Sequence, residues 1–589
     1  MTYPMITGRK AWQDVTVPTL AGGIDTSKRP DELDQSQSVT AKNVLLQKKS
    51  VLSDTGYAAF GSAIVGYPQS TYQFYKRAGT SEEMLVTTAT VYKYSSALAK
   101  WLLVKGTAAT TTTAGYAAGS TVIAVASAAG FATGELVGIA LDDGSQLQTT
   151  ITVSGLNFTL AAAVPVGRSV ANGAIVLRAV VLSGDRDNQV VPVTVPSHDW
   201  FVFTNGVNIV MRYDGTDCVI IPGIPSNNTI CKSVVVYNAA LFLLNTIEAG
   251  AATPQRVRRS NQADPTDWTT GTAGYDDLLD SADAIHTGVI LGPYLIVYRE
   301  RAISRGQFIG SGGINYSFET MVTGDGAASA NAVVDIGDYH IVVGNSNIYE
   351  YRGGFELAPI GDQIFYRLFG VSGNSNPQYK SQIFAFYVEE LDEAWIFYTD
   401  TSNTYPNKLL RYNVGEEKWY ERVFAHTFIG YGFYQVDTTR TWASLVGSWL
   451  AQIWKWNSTA TLKQSPTTHL CSAETDQVYE YDYITTLDAG AAISYTLETK
   501  DFTVADSEFR LDLVRLFMRG TNVLVEYSVN AGDSWNTLVT ITNSSSSKVD
   551  IGKQLVATNI RFRFSGTSPD FKLDWLYFLY KIESFGAMG

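Results

Sequence analysis

Two acidic clusters in this sequence have the residue types that catalysis or metal binding would need. Residues 389–393 read EELDE, and neighbouring carboxylates can bind a metal ion or act as a general acid and base. This run lies between two apolar segments, where adjacent charges usually form a solvent-exposed turn. Asp142-Asp143-Gly144 is explained better by a type I′ hairpin turn than by a metal site. We therefore expect neither cluster to be catalytic or metal-binding.

Two further patterns begin a metal-binding motif without completing it. Residues 185–188 read DRDN and start like a calcium-binding loop, but its sixth position is Val190 instead of glycine and its twelfth is Pro196 instead of glutamate. His469 and Cys471 form a lone HxC, which a buried thiol beside a surface histidine explains better than a metal site. Neither pattern predicts a bound metal ion.

The histidines and cysteines complete none of the common catalytic motifs. HExxH, GxSxG and P-loop patterns are absent, and no CxxC pair occurs. The scattered residues are His198, His286, His340, His426 and His469, with Cys218, Cys231 and Cys471. The sequence therefore predicts no catalytic, cofactor-binding or metal-binding residues, no cofactor, and a protein that is not an enzyme.

A basic segment and an acidic segment lie close together near the middle of the chain. Residues 256–259 read RVRR, and residues 276–283 read DDLLDSAD. One interpretation is a pair of solvated loops that bridge each other. The other is an interface between subunits, or an acidic rim that faces a channel. The sequence alone favours the first interpretation.

The overall charge disfavours tight binding to nucleic acid. The net charge is −13 at pH 7, and proteins that bind phosphates usually carry the opposite sign. Apolar residues make up 45% of the chain and charged residues 17%, below the usual ~25%. Surface polarity must therefore come from Ser, Thr, Asn, Gln and Gly, which is typical of β-rich assemblies.

The apolar segments are too short for export signals or membrane helices. The first residues, MTYPMITGRKAW, lack the apolar run of a secretory signal. Residues 234–244 form one of the longest apolar stretches and fall short of the ~20 residues that a membrane helix needs. We expect a soluble protein without a membrane span, made in a cytoplasm and not exported by a cleaved leader.

One unit recurs along the chain: an aromatic and β-branched run, a Gly/Asn/Asp turn, and a second such run. The seven hairpins predicted from this pattern are residues 82–96, 199–215, 233–245, 292–310, 338–354, 393–413 and 440–457. Intervals of 41, 53, 45, 56 and 47 residues separate the first strands of the last six, taken at Trp200, Leu241, Tyr294, Tyr339, Trp395 and Trp442. These intervals are near the ~40–50-residue period of β-propeller blades.

The first hairpin fits the same period once an insertion is recognised. Met84 lies 116 residues before Trp200, and removing residues 106–179 leaves 42. We therefore predict an all-β protein built on a β-propeller of six to eight blades, in which neighbouring blades bury one another's apolar faces. A pair of β-sandwiches is the alternative architecture.

Two regions depart from the propeller pattern. Residues 107–176 are rich in Ala, Thr and Val without Trp, and predict a small β-barrel or sandwich carried on a blade loop. Residues 493–582 alternate apolar and polar side chains and predict a C-terminal β-sandwich. The predicted domains are an extended arm or clasp (1–60), a first blade (61–105), the inserted barrel (106–180), the remaining blades (181–475) and the sandwich (476–589).

One segment of the chain resembles the Asp-box turn S-x-D-x-G-x-x-W. It runs from Ser528 to Trp535, with Asn530 at the Asp position, and we expect a structural turn whose Trp packs into its own hairpin. Sialidases resemble one another in having several such boxes, spaced by blade, and an arginine triad. One degenerate box outside the predicted propeller does not favour glycoside hydrolysis.

Several segments between Thr19 and Ile364 occur in an order typical of one family. They are GGIDTSKRPDELDQSQSVTAKNV (22–44), LSDTGY (52–57), NQADPTDW (261–268), YLIVYRERAI (294–303), IGDYHIVV (336–343) and APIGDQI (358–364). In these segments the sequence resembles the tail nozzle proteins of short-tailed bacteriophages, also called tail tubular proteins of the B type. The inserted barrel and the C-terminal sandwich depart from that pattern.

The resemblance implies a structural protein of the virion, assembled in the host cytoplasm. Six copies would form a ring below the head-to-tail adaptor protein, and tail fibres or spikes would dock on it. Double-stranded DNA would leave through the lumen without specific binding. Two alternatives stay open: a carbohydrate-binding or sialidase-like propeller of a phage fibre, and a head-to-tail stopper or tail-tip hub.

Two structural expectations follow from this interpretation. Residues 20–44 are polar, extended and without a core, which suits a strand donated to a neighbouring copy or a clasp that closes the propeller ring. The lumen should be lined by Asp, Glu and polar amides, because a few Lys or Arg contacts would hold DNA strongly at moderate salt.

Overall fold

The computed structural model describes residues 12–311, 314–370, 375–435, 466–481, 483–504 and 507–585. Strands dominate these residues, and the one α-helix among them, Phe365–Leu368 (α1), is a single turn. Short 3-10 turns occur at Pro225–Asn227, Asp362–Ile364, Pro377–Gln382 and Glu389–Leu391. The predicted all-β class is confirmed. No helix in the described ranges is long and apolar enough to cross a bilayer.

The N-terminal segment supplies strands to sheets that are otherwise built from residues far along the chain. Its five strands are β1 (Gln13–Val17), β2 (Ser38–Lys42), β3 (Val44–Gln47), β4 (Ser50–Ser53) and β5 (Ala58–Phe60). Leu20 and Ile24, between β1 and β2, are fully buried. This segment therefore packs against the rest of its own chain.

Sheet 1 and an inserted sheet follow. Sheet 1 is an antiparallel meander of β6 (Pro68–Tyr75), β7 (Ser81–Thr87), β8 (Val91–Ser95) and β9 (Lys100–Leu103). The inserted sheet pairs in the order β10-β15-β12-β13-β14-β11, from β10 (Lys105–Thr111), β11 (Val122–Ala124), β12 (Leu136–Ala140), β13 (Gln146–Ser154), β14 (Asn157–Leu160) and β15 (Ile175–Ala179). Its core is its own, since Val137, Ile139, Phe158 and Val176 pack together.

Sheets 2 to 6 repeat the meander of sheet 1. Sheet 2 is β16 (Val191–Val195), β17 (Trp200–Thr204), β18 (Met211–Tyr213) and β19 (Cys218–Ile220). Sheet 3 is β20 (Ile230–Tyr237), β21 (Ala240–Glu248), β22 (Ala251–Arg259) and β23 (Gly274–Asp277). Sheet 4 is β24 (Ile285–Leu291), β25 (Tyr294–Arg299), β26 (Ala302–Ser311) and β27 (Ile314–Thr323). Sheet 5 is β28 (Val333–Asp335), β29 (His340–Val343), β30 (Ile348–Tyr351) and β31 (Ala358–Pro359), and sheet 6 is β32 (Phe384–Val388), β33 (Glu393–Tyr398), β34 (Lys408–Asn413) and β35 (Lys418–Val423).

Sheet 7 joins the two ends of this series. It contains β36 (Phe428–Tyr434), β37 (Thr467–Ser472) and β38 (Val478–Tyr481), and its fourth strand is β5 from the N-terminal segment. In the β5–β38 pair, Phe60 lies opposite Val478 and Ala59 opposite Tyr479. The last sheet is therefore completed by residues that precede the first.

The first strands of the seven described sheets contact one another in a closed series. β6 contacts β16, which contacts β20, and the series continues through β24 and β28 to β32. Phe386 of β32 stacks on Tyr431 of β36, with ring centroids 4.4 Å apart, and β36 contacts β6. Gly432 permits this last approach, because a Cβ there would lie 2.0 Å from the Thr71 hydroxyl oxygen.

The residues used to measure the hairpin period lie in or next to the second strands of sheets 2 to 6. Trp200, Leu241, Tyr294 and Trp395 lie in β17, β21, β25 and β33, and Tyr339 immediately precedes β29. These strands read as short apolar runs because both faces are covered, and every residue of β17 and β33 is buried. The predicted hairpin at residues 440–457 lies outside the described residues.

The C-terminal region contains eight strands. They are β39 (Leu487–Asp488), β40 (Ala491–Ala492), β41 (Tyr495–Thr499), β42 (Phe502–Thr503), β43 (Ser507–Ser528), β44 (Asn536–Ala557), β45 (Asn559–Gly566) and β46 (Lys572–Phe585). β39 and β40 pair with each other alone, and the other six join β1 to β4 in one sheet. β45 and β46 flank one edge of β43, and β44 flanks the other. β2 pairs with β41 on one side and with β35 of sheet 6 on the other, so it links this region to the seven sheets.

Candidate functional site

The most densely charged buried site joins the N-terminal segment to sheet 6. Arg411 of β34 donates from Nη1 to Asp54 Oδ1 at 2.9 Å, and Arg422 of β35 donates from Nη2 to Asp488 Oδ1 at 2.6 Å. Arg422 Nε lies 3.3 Å from Asp54 Oδ2. Both guanidinium groups are fully excluded from solvent, and the Asp54 side chain is 1% exposed. We call these four residues the buried ion cluster.

Hydroxyl and indole groups surround the buried ion cluster. Tyr481 donates to Asp54 Oδ1 at 3.0 Å and accepts from Arg411 Nη2 at 2.9 Å. The Arg411 guanidinium lies 4.6 Å from the centre of the Trp395 ring. Trp395 Nε1 and the Tyr420 hydroxyl both donate to the buried carboxylate of Glu393. The charges are therefore held by directed hydrogen bonds as well as by their opposite sign.

Burial shifts the proton affinity of the acidic groups. It raises the pKa of the Asp488 carboxyl to about 6, with Arg422 opposing the rise and Asp54 adding to it. Burial likewise raises the pKa of Glu393, and Arg411 opposes that rise. Such shifts also occur in active sites. Here the guanidinium groups have no exposed surface on which a substrate could bind, so the arrangement serves to anchor chain segments.

The segment that this cluster anchors is the one that completes sheet 7. Arg422 Nη2 also donates to the Thr55 carbonyl at 3.3 Å. Tyr57 is fully buried against Phe424, Phe428 and Tyr479, and its hydroxyl lies 2.7 Å from His426 Nδ1. The next residue begins β5, which pairs with β38. The closure is thus held by ion pairs, by packed rings and by backbone pairing.

A cavity of about 740 Å³ lies where the first strands of the seven sheets meet. All seven strands contribute to its lining. Hydrogen bonds link the residues that lead into β16, β28 and β32. Gln189 Nε2 donates to the Ile383 carbonyl at 2.9 Å, and Asn331 N donates to Gln189 Oε1 at 3.3 Å. The starts of these three strands are therefore tied to one another.

The EELDE run is split between surface and interior. Glu389 and Glu390 are exposed in the 3-10 turn that follows β32, as expected for a solvated turn. Glu393 was expected in the same turn, but it is 2% exposed and begins β33. The reason is Asp392, whose left-handed φ of 54° reverses the chain and directs Glu393 to the Tyr420 and Trp395 donors.

The Asp142-Asp143-Gly144 segment is a hairpin turn between β12 and β13, but not of type I′. A type I′ turn needs positive φ at both central residues, and Gly144 alone of these three has it, at 81°. Gly144 N donates to the Leu141 carbonyl at 3.1 Å, and Asp143 Oδ1 accepts from Ser145 N at 3.0 Å. The carboxylate is used to cap the turn.

The DRDN segment is part of a contact between loops. The Arg186 guanidinium lies between the rings of Tyr67 and Tyr405, 4.5 and 4.7 Å from their centres, and donates to the Ala473 carbonyl at 2.7 Å. Asp187 accepts from Gln382 at 2.7 Å. Within the described residues no three His, Cys, Asp or Glu side chains are placed to share a metal ion.

The expectation of a surface histidine at His469 is wrong. His469 is fully buried between sheets 7 and 1, and its Nδ1 lies 3.3 Å from Glu83 Oε1. Its ring packs on Phe60 of β5, the edge strand of the same sheet, with centroids 4.2 Å apart. Cys471 is buried as expected, and burial raises the pKa of its thiol.

The basic segment and the start of the acidic segment bridge each other, but they are neighbouring strands of sheet 3 and not the pair of solvated loops that the first interpretation expected. Arg256 makes two hydrogen bonds to Asp277, at 2.8 and 2.9 Å, and Arg259 pairs with Asp276 across β22 and β23. The buried Arg299 donates to Asp280 at 2.7 Å. These charges therefore hold the outer strands together.

The Asp-box-like segment is a structural turn between β43 and β44. Asn530 Oδ1 accepts from Ser534 N at 3.0 Å, and Ser528 Oγ accepts from Gly532 N at 2.9 Å. The Arg563 guanidinium lies 4.2 Å from the centre of the Trp535 ring. Asn530 thus caps the turn backbone, as expected from the sequence.

Sequence reasoning missed the buried ion cluster. A signal was present, because KLLRYN (Lys408–Asn413) and KWYERV (Lys418–Val423) each place an arginine in a strand rich in aliphatic and aromatic residues. Both strands are almost completely buried, and a buried arginine requires a carboxylate partner. Asp54 and Asp488 could not be identified as those partners without the fold.

Comparisons with known proteins leave the family open. No family model and no curated protein matches the chain. Among solved structures, the computationally designed Ika8 protein has a TM-score of 0.34 at 9% identity, over 73% of this chain and 100% of that chain. An exo-beta-1,3-galactanase from Phanerochaete chrysosporium has a TM-score of 0.22 at 11% identity, over 89% and 100%. Hsv2 from Kluyveromyces lactis has a TM-score of 0.23 at 12% identity, over 61% and 97%. These TM-scores are too low to support an argument about fold or function.

Proposed function

We propose that the seven sheets are the blades of a seven-bladed β-propeller, with their first strands around the axis. The closed series of first-strand contacts and the pairing of β5 with β38 support this. Propellers commonly need such a closure, because each blade buries its faces only against its neighbours. In this proposal the inserted sheet is the small β-barrel, and the C-terminal strands with β1 to β4 are the β-sandwich.

We further propose that the protein is a structural component of a bacteriophage tail, the nozzle below the head-to-tail adaptor. One observation carries the proposal: the LSDTGY segment, part of the resemblance to nozzle proteins, contains Asp54 and Tyr57. These two residues fasten the closing strand through Arg411 and the rings around Tyr57. A motif placed at the closure has an architectural role, which suits a conduit protein that performs no chemistry.

The conduit for DNA lies between copies in this proposal and not along the propeller axis. A cube with the volume of the central cavity, 740 Å³, has a side of about 9 Å, less than the ~12 Å width of the DNA major groove alone. A duplex cannot enter it. A ring of copies around a wider axis is therefore required, and six copies are what the family resemblance implies.

The free edge of β44 supports association of copies. Within the described residues this 22-residue strand pairs with β43 alone. Residues 536–547 read NTLVTITNSSSS. They include no charged residue and no proline, and these are the residues that usually protect an exposed strand edge from pairing. A second copy could extend the sheet at this edge.

Electron microscopy of phage particles would test the proposed function. An affinity label in the loop at Gly155, between β13 and β14, leaves the seven sheets untouched, since the inserted sheet has its own core. The expected result is six labels around the tail, immediately below the head-to-tail adaptor. Labels at fibre tips, or none on particles that contain the protein, would overturn the nozzle assignment. Incubation with host polysaccharide distinguishes the fibre alternative, because a nozzle should neither cleave nor tightly bind it.

A further inference from the structure

The central cavity is lined by polar residues and by a set of aliphatic ones, and its size suits a small ligand. Ligand pockets usually enclose about 300–1,000 Å³, a range that includes the 740 Å³ found here. Five valines from four of the first strands belong to the lining. They are Val191, Val193, Val235, Val289 and Val334. An aliphatic chain would be well accommodated between them.

One end of the cavity is acidic. Asp335 ends β28, and Glu389 and Glu390 follow the end of β32, and all three line the cavity. The residues that line it include no Lys, Arg or His. Since a concave site lined by one sign of charge concentrates ions of the opposite sign, this end attracts cations.

The opposite end carries an unpaired acceptor. Gln69 lines the cavity and is 4% exposed, and its Nε2 donates to the Asp185 and Asn188 carbonyls at 2.8 and 2.6 Å. These two carbonyls fix the orientation of the amide, since an oxygen in place of Nε2 would face both of them. Gln69 Oε1 is buried and has no hydrogen-bond partner in the described part of the chain.

The acceptor and the carboxylates lie at opposite ends of the same strands. Gln69 binds carbonyls in the loop before β16, at the end where Asn331 and Ile383 lead into β28 and β32. Asp335 comes four residues after Asn331, which is about 13 Å along a strand at ~3.3 Å per residue. A ligand that reaches both ends is therefore elongated.

We propose that this cavity binds an elongated aliphatic amine. Its ammonium group lies among Asp335, Glu389 and Glu390, its alkyl chain packs between the valines, and an N–H or O–H at its far end donates to Gln69 Oε1. The proposal goes beyond the nozzle function and does not depend on it, since the cavity belongs to a single copy.

Probes that differ only in their end groups test the proposal by isothermal titration calorimetry of the full-length protein. The probes are 1,8-diaminooctane, 8-amino-1-octanol, octylamine, 1,8-octanediol and octanedioate. We expect saturable binding of the diamine and the amino alcohol. Octylamine should bind more weakly than these two because it lacks the donor for Gln69. The diol should bind at least tenfold more weakly than the diamine, and octanedioate should not bind. Equal affinities for diamine and diol, or no binding of the diamine, would overturn the proposal.

Variants test the location. Glu389→Gln with Glu390→Gln should weaken diamine binding at least tenfold and leave binding of the diol unchanged. The matched control is Glu356→Gln with Glu417→Gln, which removes two exposed carboxylates that do not line the cavity and should leave the affinity unchanged. Melting curves establish that both double variants are folded. Unaltered affinity in the first pair, or an equal loss in both pairs, would refute a site at the cavity mouth.

Discussion

Arg411 Nη1 lies 2.9 Å from Asp54 Oδ1, although the two residues are 357 positions apart, and neither side chain is accessible to solvent. This contact fixes the N-terminal segment to sheet 6 immediately before it supplies the fourth strand of sheet 7. The stability of the closed series of sheets therefore depends on a few identifiable side chains.

Asp54→Ala should lower the free energy of unfolding by about 3–5 kcal/mol, the usual cost of leaving a buried charge without its partner. Two guanidinium groups lose a carboxylate in this variant, so the upper part of the range is expected. Urea denaturation monitored by tryptophan fluorescence measures it. Asp31→Ala is the control, since that carboxylate forms an exposed ion pair with Arg29, and such pairs contribute about 0–1 kcal/mol. Equal losses in the two variants would contradict the anchoring role.

Asp488 should make stability depend on pH in the opposite sense from an ordinary ion-paired carboxylate. Its folded-state pKa of about 6 lies above the ordinary aspartate pKa of about 3.9, so the folded protein holds this proton more tightly than the unfolded chain. Its contribution is full below the unfolded pKa and is lost as the pH rises through 6. Wild type should therefore lose roughly 1–3 kcal/mol relative to Asp488→Asn between pH 4.5 and 7.5, at about 1.4 kcal/mol per pKa unit. A difference between the two proteins that stays constant across this range would show that Asp488 is not the group responsible.

Gly432→Ala should destabilise the contact between sheets 7 and 1. The added Cβ would lie 2.0 Å from the Thr71 hydroxyl oxygen and 2.2 Å from the Thr71 carbonyl oxygen, so backbone must move. Overpacking of this kind costs about 1–3 kcal/mol, measurable by urea denaturation. Gly354→Ala is the matched control because a Cβ there meets no atom within 4 Å. Similar stability of both variants would argue against close apposition of β36 and β6.

The inserted sheet should fold alone, and its removal should change the remainder little. Among the contacts to sheet 1 are two hydrogen bonds, Leu103 N to Gln146 Oε1 at 2.7 Å and Gln148 Nε2 to the Trp101 carbonyl at 2.8 Å. Two more are Tyr92 Oη to Gln148 Oε1 at 3.3 Å and Gln146 Nε2 to the Leu103 carbonyl at 3.4 Å. At about 1 kcal/mol each, replacing residues 107–177 with a short linker should cost about 4 kcal/mol. Circular dichroism and limited proteolysis of a fragment comprising residues 105–180 test whether the inserted sheet folds alone. An unfolded fragment would show that the insertion depends on the blades.

The sequence allowed prediction of the parts of the fold that depend on local pattern. The second strands containing Trp200, Leu241, Tyr294 and Trp395 are recognisable because complete burial produces short apolar runs. The inserted region, residues 106–179, is recognisable because it interrupts the regular spacing of the predicted hairpins. Asn530 was placed correctly because its turn is set by neighbouring residues.

The parts that depend on contacts between distant segments could not be predicted. The hairpin pattern placed all seven units between residues 82 and 457, whereas sheet 7 uses β5, whose partner β38 lies more than four hundred residues away. Glu393 and His469 were expected at the surface because their burial depends on donors or strands contributed from elsewhere. Each of these errors comes from a contact that only the assembled chain contains.

The central claim, an architectural ring protein, is tested most directly by the mass of the purified assembly. Native mass spectrometry or mass photometry should give a species near 385 kDa, about six times the 64.2 kDa chain, in a closed cyclic assembly. Its averaged images should show an open axis lined by Asp, Glu and amide side chains. A protein that stays monomeric at every concentration, or a ring whose bore is lined by Lys and Arg, would contradict the account.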